Sequence, residues 1–406
     1  MSVPGANTRS ISVTIVQPAL PKYRVPVFRE LAARPGIDLT VAYSTQVYMP
    51  NVAPDGFRGV NTDPFRDLLK RPHLHINPAQ WAASARARSE VVVLTWDLHG
   101  LLLVPALLRA RAAGVGTVVW GHGYSKQEGG LRRMSRNVVP RLADATMFYT
   151  DGPASRFVAS GFPAGRVFVA RNALDQRAIQ ATRAAWLADP EKLAAFRREH
   201  GLVDRPVALF VSRLEHDNRV DLLLRAAAKL RRELPGLLTV VIGKGPELES
   251  LQSLASELGL GDDARFLGAI YDEDEIAPWF LASRVFVYPR NIGLSLLHAF
   301  GYGLPAITCD DIASQNPEIE ALRDGANGLL YRDGSLPAMV DSMRRIITDD
   351  ALHSRLSAEA HRTVLEEFSL SRMVDGMEAA IRFAYARRNR LPLPTPWPIT
   401  SAASAG

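Results

Sequence analysis

Cysteine is almost missing from this chain: its 406 residues hold one, Cys309. A single thiol excludes an intrachain disulfide framework and a cysteine-built zinc site. It lies in an apolar segment, where a free cysteine serves as a small core residue, and a reducing cytosol is the compartment that this usage fits. Long apolar runs are missing too. The longest, around Leu101–Leu108, is interrupted by Pro105 and falls far short of the roughly 18 residues a membrane span needs. Ile11–Val16 is too short for the apolar core of a secretory signal and reads as a first strand. The loop after it, Pro18–Arg24, lacks glycine, which excludes a dinucleotide fingerprint there.

What is present belongs to a soluble globular protein, 47% apolar and 22% charged, long enough for two domains with separate cores. Charge is shared unevenly. Residues 1–200 carry 26 Lys and Arg against 14 Asp and Glu, whereas the other 206 carry 22 against 28. A basic half suits nucleic acid, a membrane surface or an anionic substrate, or only solvated helix faces. No nucleic-acid motif accompanies it, so a nucleic-acid partner is not expected. Leu131–Leu142 sets Arg132, Arg133, Arg136 and Arg141 among apolar residues, the pattern of an amphipathic helix with one basic side. A solvated surface helix is the plain reading, and contact with an anionic lipid surface the sharper one.

The opening, with strands at Ile11–Gln17 and Ile37–Tyr43 around a helix at Val25–Ala33, implies a parallel sheet. Ligands of such sheets sit at the carboxyl ends of strands. Lys22, Tyr23 and Arg24 in the first loop are therefore acceptor-site candidates, or simple helix caps. Asp97, after the strand Val91–Leu94, is another candidate; an Asp there also caps helices. His122 follows the strand Gly116–Trp120 between two glycines, which let backbone approach a ligand closely.

The densest pattern lies at Ser283–Glu318. Val285–Tyr288 reads as a buried strand, Pro289–Gly293 as a turn, Leu294–Phe300 as a buried helix and Pro305–Thr308 as the next strand. A strand, a turn ending in Gly and a helix start form an anion site from free helical N–H groups. On pattern alone this is one more βα unit of an α/β protein. The wording goes further. Tyr288-Pro289, Gly293 to Leu297, Ala299-Phe300, Gly303 and Pro305 resemble the donor-site signature of family-four retaining glycosyltransferases of GT-B architecture. The resemblance runs through most of residues 205–350 and more weakly through the N-terminal half.

That resemblance implies two Rossmann-like α/β domains facing across a cleft. Residues 10–175 form the acceptor domain, joined by a returning helix at 371–388. Residues 205–370 form the nucleotide-sugar donor domain, a charged helical connector covers 176–204, and 389–406 make a loose Pro-rich tail. The implied activity is transfer of a sugar, with retention, from a nucleotide-sugar to a glycan or lipid-linked acceptor, without cofactor or metal, in a protein that is cytoplasmic or peripheral to the membrane. His122 matches the histidine that faces the donor sugar. Arg213 matches the arginine of the Gly-Arg-Leu pattern. The lysine that follows in the family is replaced by Asn218, with Arg219 next to it as the substitute cation. Gly243, Gly268, Gly293, Leu294 and Glu318 match donor-binding positions. The family's two glutamates, eight positions apart, are here Arg290 and His298. His298 is expected to hold the ribose, since an imidazole both accepts and donates. Arg290 lacks an acceptor and is expected to face solvent or a negative donor group. Alternatives are a nucleotide-sugar epimerase on a similar fold and a non-catalytic nucleotide-sugar-binding scaffold.

Overall fold

A computed structural model describes residues 9–45, 50–62, 66–67, 74–97, 99–122 and 138–399. They divide into two units, the residues up to Asn172 with those from Leu370 onward, and Ala173–Ser369.

The first unit is built on seven strands: β1 (Ile11–Gln17), β2 (Ile37–Ser44), β3 (Arg58–Thr62), β4 (Val91–Thr95), β5 (Gly116–Gly121), β6 (Ala145–Phe148) and β7 (Val167–Val169). They pair in the order β3-β2-β1-β4-β5-β6-β7, every pair parallel. Val91–Leu94 is wholly buried. A strand covered on both faces reads as an unbroken apolar run. The edge strand β3 is mostly exposed and carries Arg58, Gly59 and Asn61.

The helix Leu370–Arg388 closes this unit. It lies on the sheet at backbone distance, since a Cβ on Gly376 would stand 2.0 Å from the Val169 carbonyl oxygen and one on Gly116 2.8 Å from that of Ala384. Phe383 packs on Phe168 with ring centres 5.3 Å apart. The helix end is tied by charge: buried Asp144 accepts from the Thr117 N–H and hydroxyl at 3.0 Å and from the Arg388 guanidinium at 2.7 and 2.8 Å.

The second unit repeats the plan with β8 (Val207–Val211), β9 (Leu238–Ile242), β10 (Ala264–Gly268), β11 (Val285–Val287), β12 (Ala306–Cys309) and β13 (Gly328–Tyr331). Their order is β10-β9-β8-β11-β12-β13, again all parallel. Strand order reverses between β8 and β11, which puts the loops after these strands at a topological switch point, where ligands of doubly wound sheets bind. The helix Val220–Leu230 buries Val220, Leu223, Leu224, Ala227 and Leu230, one face at helical spacing. The helical segment expected as a connector belongs to this unit. Gln176 donates to the Leu297 carbonyl at 3.2 Å, Gln180 to that of Gly301 at 2.8 Å, and Trp186 joins the core.

Replacing Gly376 by Ala tests the close seating of the last helix. On an exposed helix this change stabilises by about 1 kcal/mol. Here the new Cβ forces the helix off β7, and overpacking of this kind costs ~1–3 kcal/mol. Urea denaturation should show a lowered midpoint, and an unchanged or raised one would contradict the packing described.

Candidate functional site on the second sheet

Two loops cross at the carboxyl edge of the second sheet. Those following β8 and β9 run so close that a Cβ on Gly243 would stand 1.8 Å from the Ser212 carbonyl oxygen, and one on Gly245 2.3 Å from that of Leu214. Only glycine fits. The gap is closed by backbone bonds from Ser212 N–H to Ile242, from Leu214 N–H to Lys244 and from Glu247 N–H to Leu214, at 2.9–3.1 Å. Gly243 N–H donates to the Gly268 carbonyl at 2.8 Å, which brings in the loop after β10. Gly268 itself has φ +72°, a left-handed conformation suited to glycine.

A chain of asparagines ties the remaining loops. The Asn218 amide donates to the Arg213 carbonyl at 2.6 Å, and its oxygen accepts from Asn291 at 3.3 Å. Asn316 in turn donates to the Asn291 carbonyl and side-chain oxygens at 2.9 and 3.1 Å, and its amide nitrogen sits beside the Cβ position of Gly293. Buried Gln315 accepts from the Ile292 N–H at 2.8 Å. Tyr288 donates to the Ser212 hydroxyl at 3.1 Å, and burial pushes its phenol up to about 12. Leu294 sits at the start of the short helix Ser295–Gly301. Glu318 is buried in the turn Pro317–Ala321.

The cations on this edge differ in how they are held. Arg213 is exposed, and no carboxylate among the described residues pairs with it. Lys244, exposed likewise, has its Cε 3.7 Å from the Cβ position of Gly268. Arg219 is not a free cation, because Asp221 chelates it with Nε–Oδ1 at 2.8 Å and Nη2–Oδ2 at 3.0 Å. Its backbone is left-handed, φ +52°, the position at which the resembled family pattern has Gly. Asn218, at the lysine position, is 3% exposed and structural. A recess of about 310 Å³ beside this loop is lined by Glu215, His216, Arg219, Asp221, Glu247 and Leu251, so carboxylates outnumber cations there.

The two substituted glutamate positions are also occupied. Arg290 meets neither solvent alone nor a free space: it donates to Asp311 at 2.7 Å and lies 3.8 Å from Asp333. His298 Nε2 stands 2.8 Å from Glu273 Oε1, and since a carboxylate only accepts, the imidazole donates. Tyr302 donates to the same oxygen at 2.5 Å, and the His298 ring lies against Phe280 at 4.6 Å. The Nε2 of His298, the residue expected to hold the ribose, is thus engaged inside the unit. Two further residues stand on the same edge, Lys244 and Tyr271, which is 85% exposed just beyond β10.

In the first unit, His122 ends β5, exposed, with its ring 4.7 Å from that of Tyr149. Lys22, Tyr23 and Arg24 form a single turn before the first helix. Lys22 is exposed and Arg24 buried. Asp97 is engaged locally, accepting from the His99 N–H at 2.9 Å and Nδ1 at 3.1 Å, with His75 Nε2 at 3.4 Å. It holds a turn. The basic stretch bearing Arg132, Arg133 and Arg136 lies outside the described residues. Among the described residues no helix is long and apolar enough to cross a membrane, and no cluster of His, Cys, Asp and Glu is set to hold a metal ion.

Residues 193–363 match the family model described as glycosyl transferases group 1. The matched residues lie within the second unit. The chain is 27% identical over 258 residues to a GDP-mannose-dependent alpha-(1-6)-phosphatidylinositol monomannoside mannosyltransferase of Mycolicibacterium smegmatis, covering 61% of this chain and 64% of the relative. It is 29% identical over 175 residues to the lipopolysaccharide core biosynthesis glycosyltransferase LpsE of Rhizobium meliloti, 42% of this chain and 48% of that one. The chain thus spans 64% of the first relative and about half of the second. Among solved structures, Anabaena HepE in complex with UDP superposes with a TM-score of 0.68 at 15% identity, over 91% of this chain and 98% of that one. WaaG, a glycosyltransferase involved in lipopolysaccharide biosynthesis, does so at 0.60 and 16%, over 91% and 98%. At such identities the likeness is one of fold, and both units have the GT-B type of parallel sheet.

The Arg219–Asp221 pair of the second unit has a measurable signature. Burial is the largest influence on Asp221 and raises its pKa, but the hydrogen bond and charge of Arg219, with the Arg225 charge and the Leu222 N–H, outweigh it, leaving the carboxyl below its ordinary 3.8. A carboxyl depressed by folding contributes stability above its unfolded pKa and loses it as pH falls through the folded value. Carboxyl-carbon NMR should give an Asp221 midpoint below 3.8. In Arg219→Ala burial is opposed only by the Arg225 charge and the Leu222 N–H, and the midpoint should rise from its wild-type position; no movement would disprove the pairing.

Proposed function

We propose that this protein transfers a sugar from a nucleotide-sugar held by the second unit to a glycan or lipid-linked acceptor held by the first, with retention of configuration. The observation that carries this reading is Arg213: an exposed cation without a carboxylate partner among the described residues, on the switch-point edge of the second unit. A diphosphate is a leaving group whose developing charge must be met by preorganised donors. Arg213 meets it from the loop after β8, and Lys244 from the loop after β9. The neighbouring recess, rich in carboxylates, repels it. Tyr271 offers an exposed ring to the base. The relatives named for glycolipid and lipopolysaccharide-core work support an acceptor of that class.

In the reaction, the acceptor hydroxyl oxygen forms its bond to the anomeric carbon on the face from which the diphosphate oxygen departs. Its proton passes to that departing oxygen, so no carboxylate nucleophile is required. His122 is assigned to the sugar ring at that moment. At the positions of the family's glutamate pair stand two internal contacts, the ion pair of Arg290 with Asp311 and the hydrogen bond of His298 to Glu273.

The test is mass analysis of donor and acceptor mixtures, with the anomeric configuration of product read by NMR. Acceptor-dependent consumption of a nucleotide-sugar with retained configuration is the expected result. Conversion of donor without acceptor would indicate epimerisation instead, and donor binding without conversion of any acceptor a binding protein. Arg213→Ala should lose at least tenfold in kcat/KM, as a charged contact contributes ~1.5–3 kcal/mol. Lys244→Ala should lose less, and Asp221→Ala, which frees Arg219, should not lower donor affinity. Near-normal kcat/KM in Arg213→Ala would remove the diphosphate from this edge.

A further inference from the structure

The first unit contains a buried cation for which the described residues supply no counter-charge. Arg24 is 7% exposed. Its guanidinium carbon lies over three rings, 5.3 Å from the centre of Tyr23, 5.0 Å from Trp120 and 5.5 Å from Tyr149. Aromatic faces attract a cation but accept none of its five N–H donors in the way an oxygen does. Among the described residues Nη1 reaches only the Met373 sulfur, at 4.0 Å, a weak acceptor. Beside it, the Trp120 indole Nε1 is buried without an acceptor among the described residues. Buried charges and N–H groups are ordinarily hydrogen-bonded, because leaving them unpaired is costly.

Position adds to this. Arg24 follows β1, Trp120 lies in β5 and Tyr149 follows β6, so all three meet at the carboxyl edge of the first sheet, the ligand edge of such a fold. Exposed Lys22 and His122 and partly exposed Tyr23 and Tyr149 border it. The carboxylates of that edge have their own partners: Asp97 is bonded to His99 and Asp151 to Arg171.

We propose that Arg24 and Trp120 form a subsite for an oxyanion group on the ligand of the first unit. The planar guanidinium takes two oxygens of such a group side by side, as it does with carboxylate and phosphate, and the indole N–H takes one more. A phosphate ester has oxygens enough for both donors, whereas a carboxylate fills the guanidinium fork alone. That this ligand is the sugar acceptor rests on the transfer reading above; the subsite itself does not.

The experiment is a titration of the full chain with methyl phosphate and, separately, with methyl glucuronoside, following tryptophan emission. Trp120→Phe isolates the share of Trp120 among the six tryptophans. A saturable change is expected that disappears in Trp120→Phe, weakens at least tenfold in Arg24→Met and persists in Arg213→Ala, with methyl phosphate the tighter ligand. Tighter binding of the glucuronoside would support the subsite with a carboxylate as its occupant. Absence of a Trp120-dependent change with both ligands, or equal affinity in Arg24→Met, overturns it. Should Arg24→Met fail to fold, Arg24→Lys, which keeps the charge and loses the fork, serves the same comparison. No donor or turnover enters the measurement, so failure here with transfer intact counts against this subsite alone. Failure of transfer with binding here intact counts against the transfer reading alone.

Discussion

Gly243 and Gly245 set the constraint on which the second unit depends. The loops after its first two strands cross at a distance that excludes even a methyl group, and backbone N–H groups of one are spent on carbonyls of the other. Groups used this way are unavailable to a ligand, but they make the edge rigid, and rigidity is what lets charged donors act without reorganising. The amides of Asn218, Asn291 and Asn316 extend the same order to the loops after β11 and β12. Buried amides hold position because each unsatisfied polar atom would be costly. Asn218 therefore serves this edge as a brace in the place where the resembled family has a cation.

Charge is then sorted by geometry. Arg219 and Arg290 each have carboxylate partners within the unit, leaving Arg213 and Lys244 as the exposed cations of the crossing loops. In the first unit the sorting runs the other way, with acids paired and Arg24 caged by rings. Both sheets thus present cationic groups at their carboxyl edges, one exposed and one buried.

Much of this architecture was legible in the sequence. Val91–Leu94 is an unbroken apolar run and Leu238–Ile242 one broken only by Thr239, because parallel strands are covered on both faces, and Gly243 and Gly245 after Ile242 mark close backbone approaches. β3 was not legible. Its sequence, Arg58–Thr62, is polar because it lies at the sheet edge, and pairing with β2 rather than burial makes it a strand. Arg213 followed from a local pattern, and the structure leaves it exposed. The partners of Arg219, Arg290 and His298 were not foreseen. Asp311 and Glu273 stand 21 and 25 residues from the side chains they hold, and no periodicity links positions so separated. Asp221 is only two residues from Arg219, yet the left-handed turn that lets them chelate leaves no mark in composition. The cage around Arg24 draws on three strand ends, which only the sheet order brings together.

The central claim is that the crossing loops of the second unit hold a nucleoside diphosphate. Hydrogen exchange of the full chain, with and without saturating UDP or GDP, measures it directly. The account predicts slowed exchange in the segments 212–219, 243–248 and 290–296 with at least one of the two nucleotides, and loss of that protection in Arg213→Ala. Binding of a nucleotide with protection confined to other segments, or no protection with either, would contradict it.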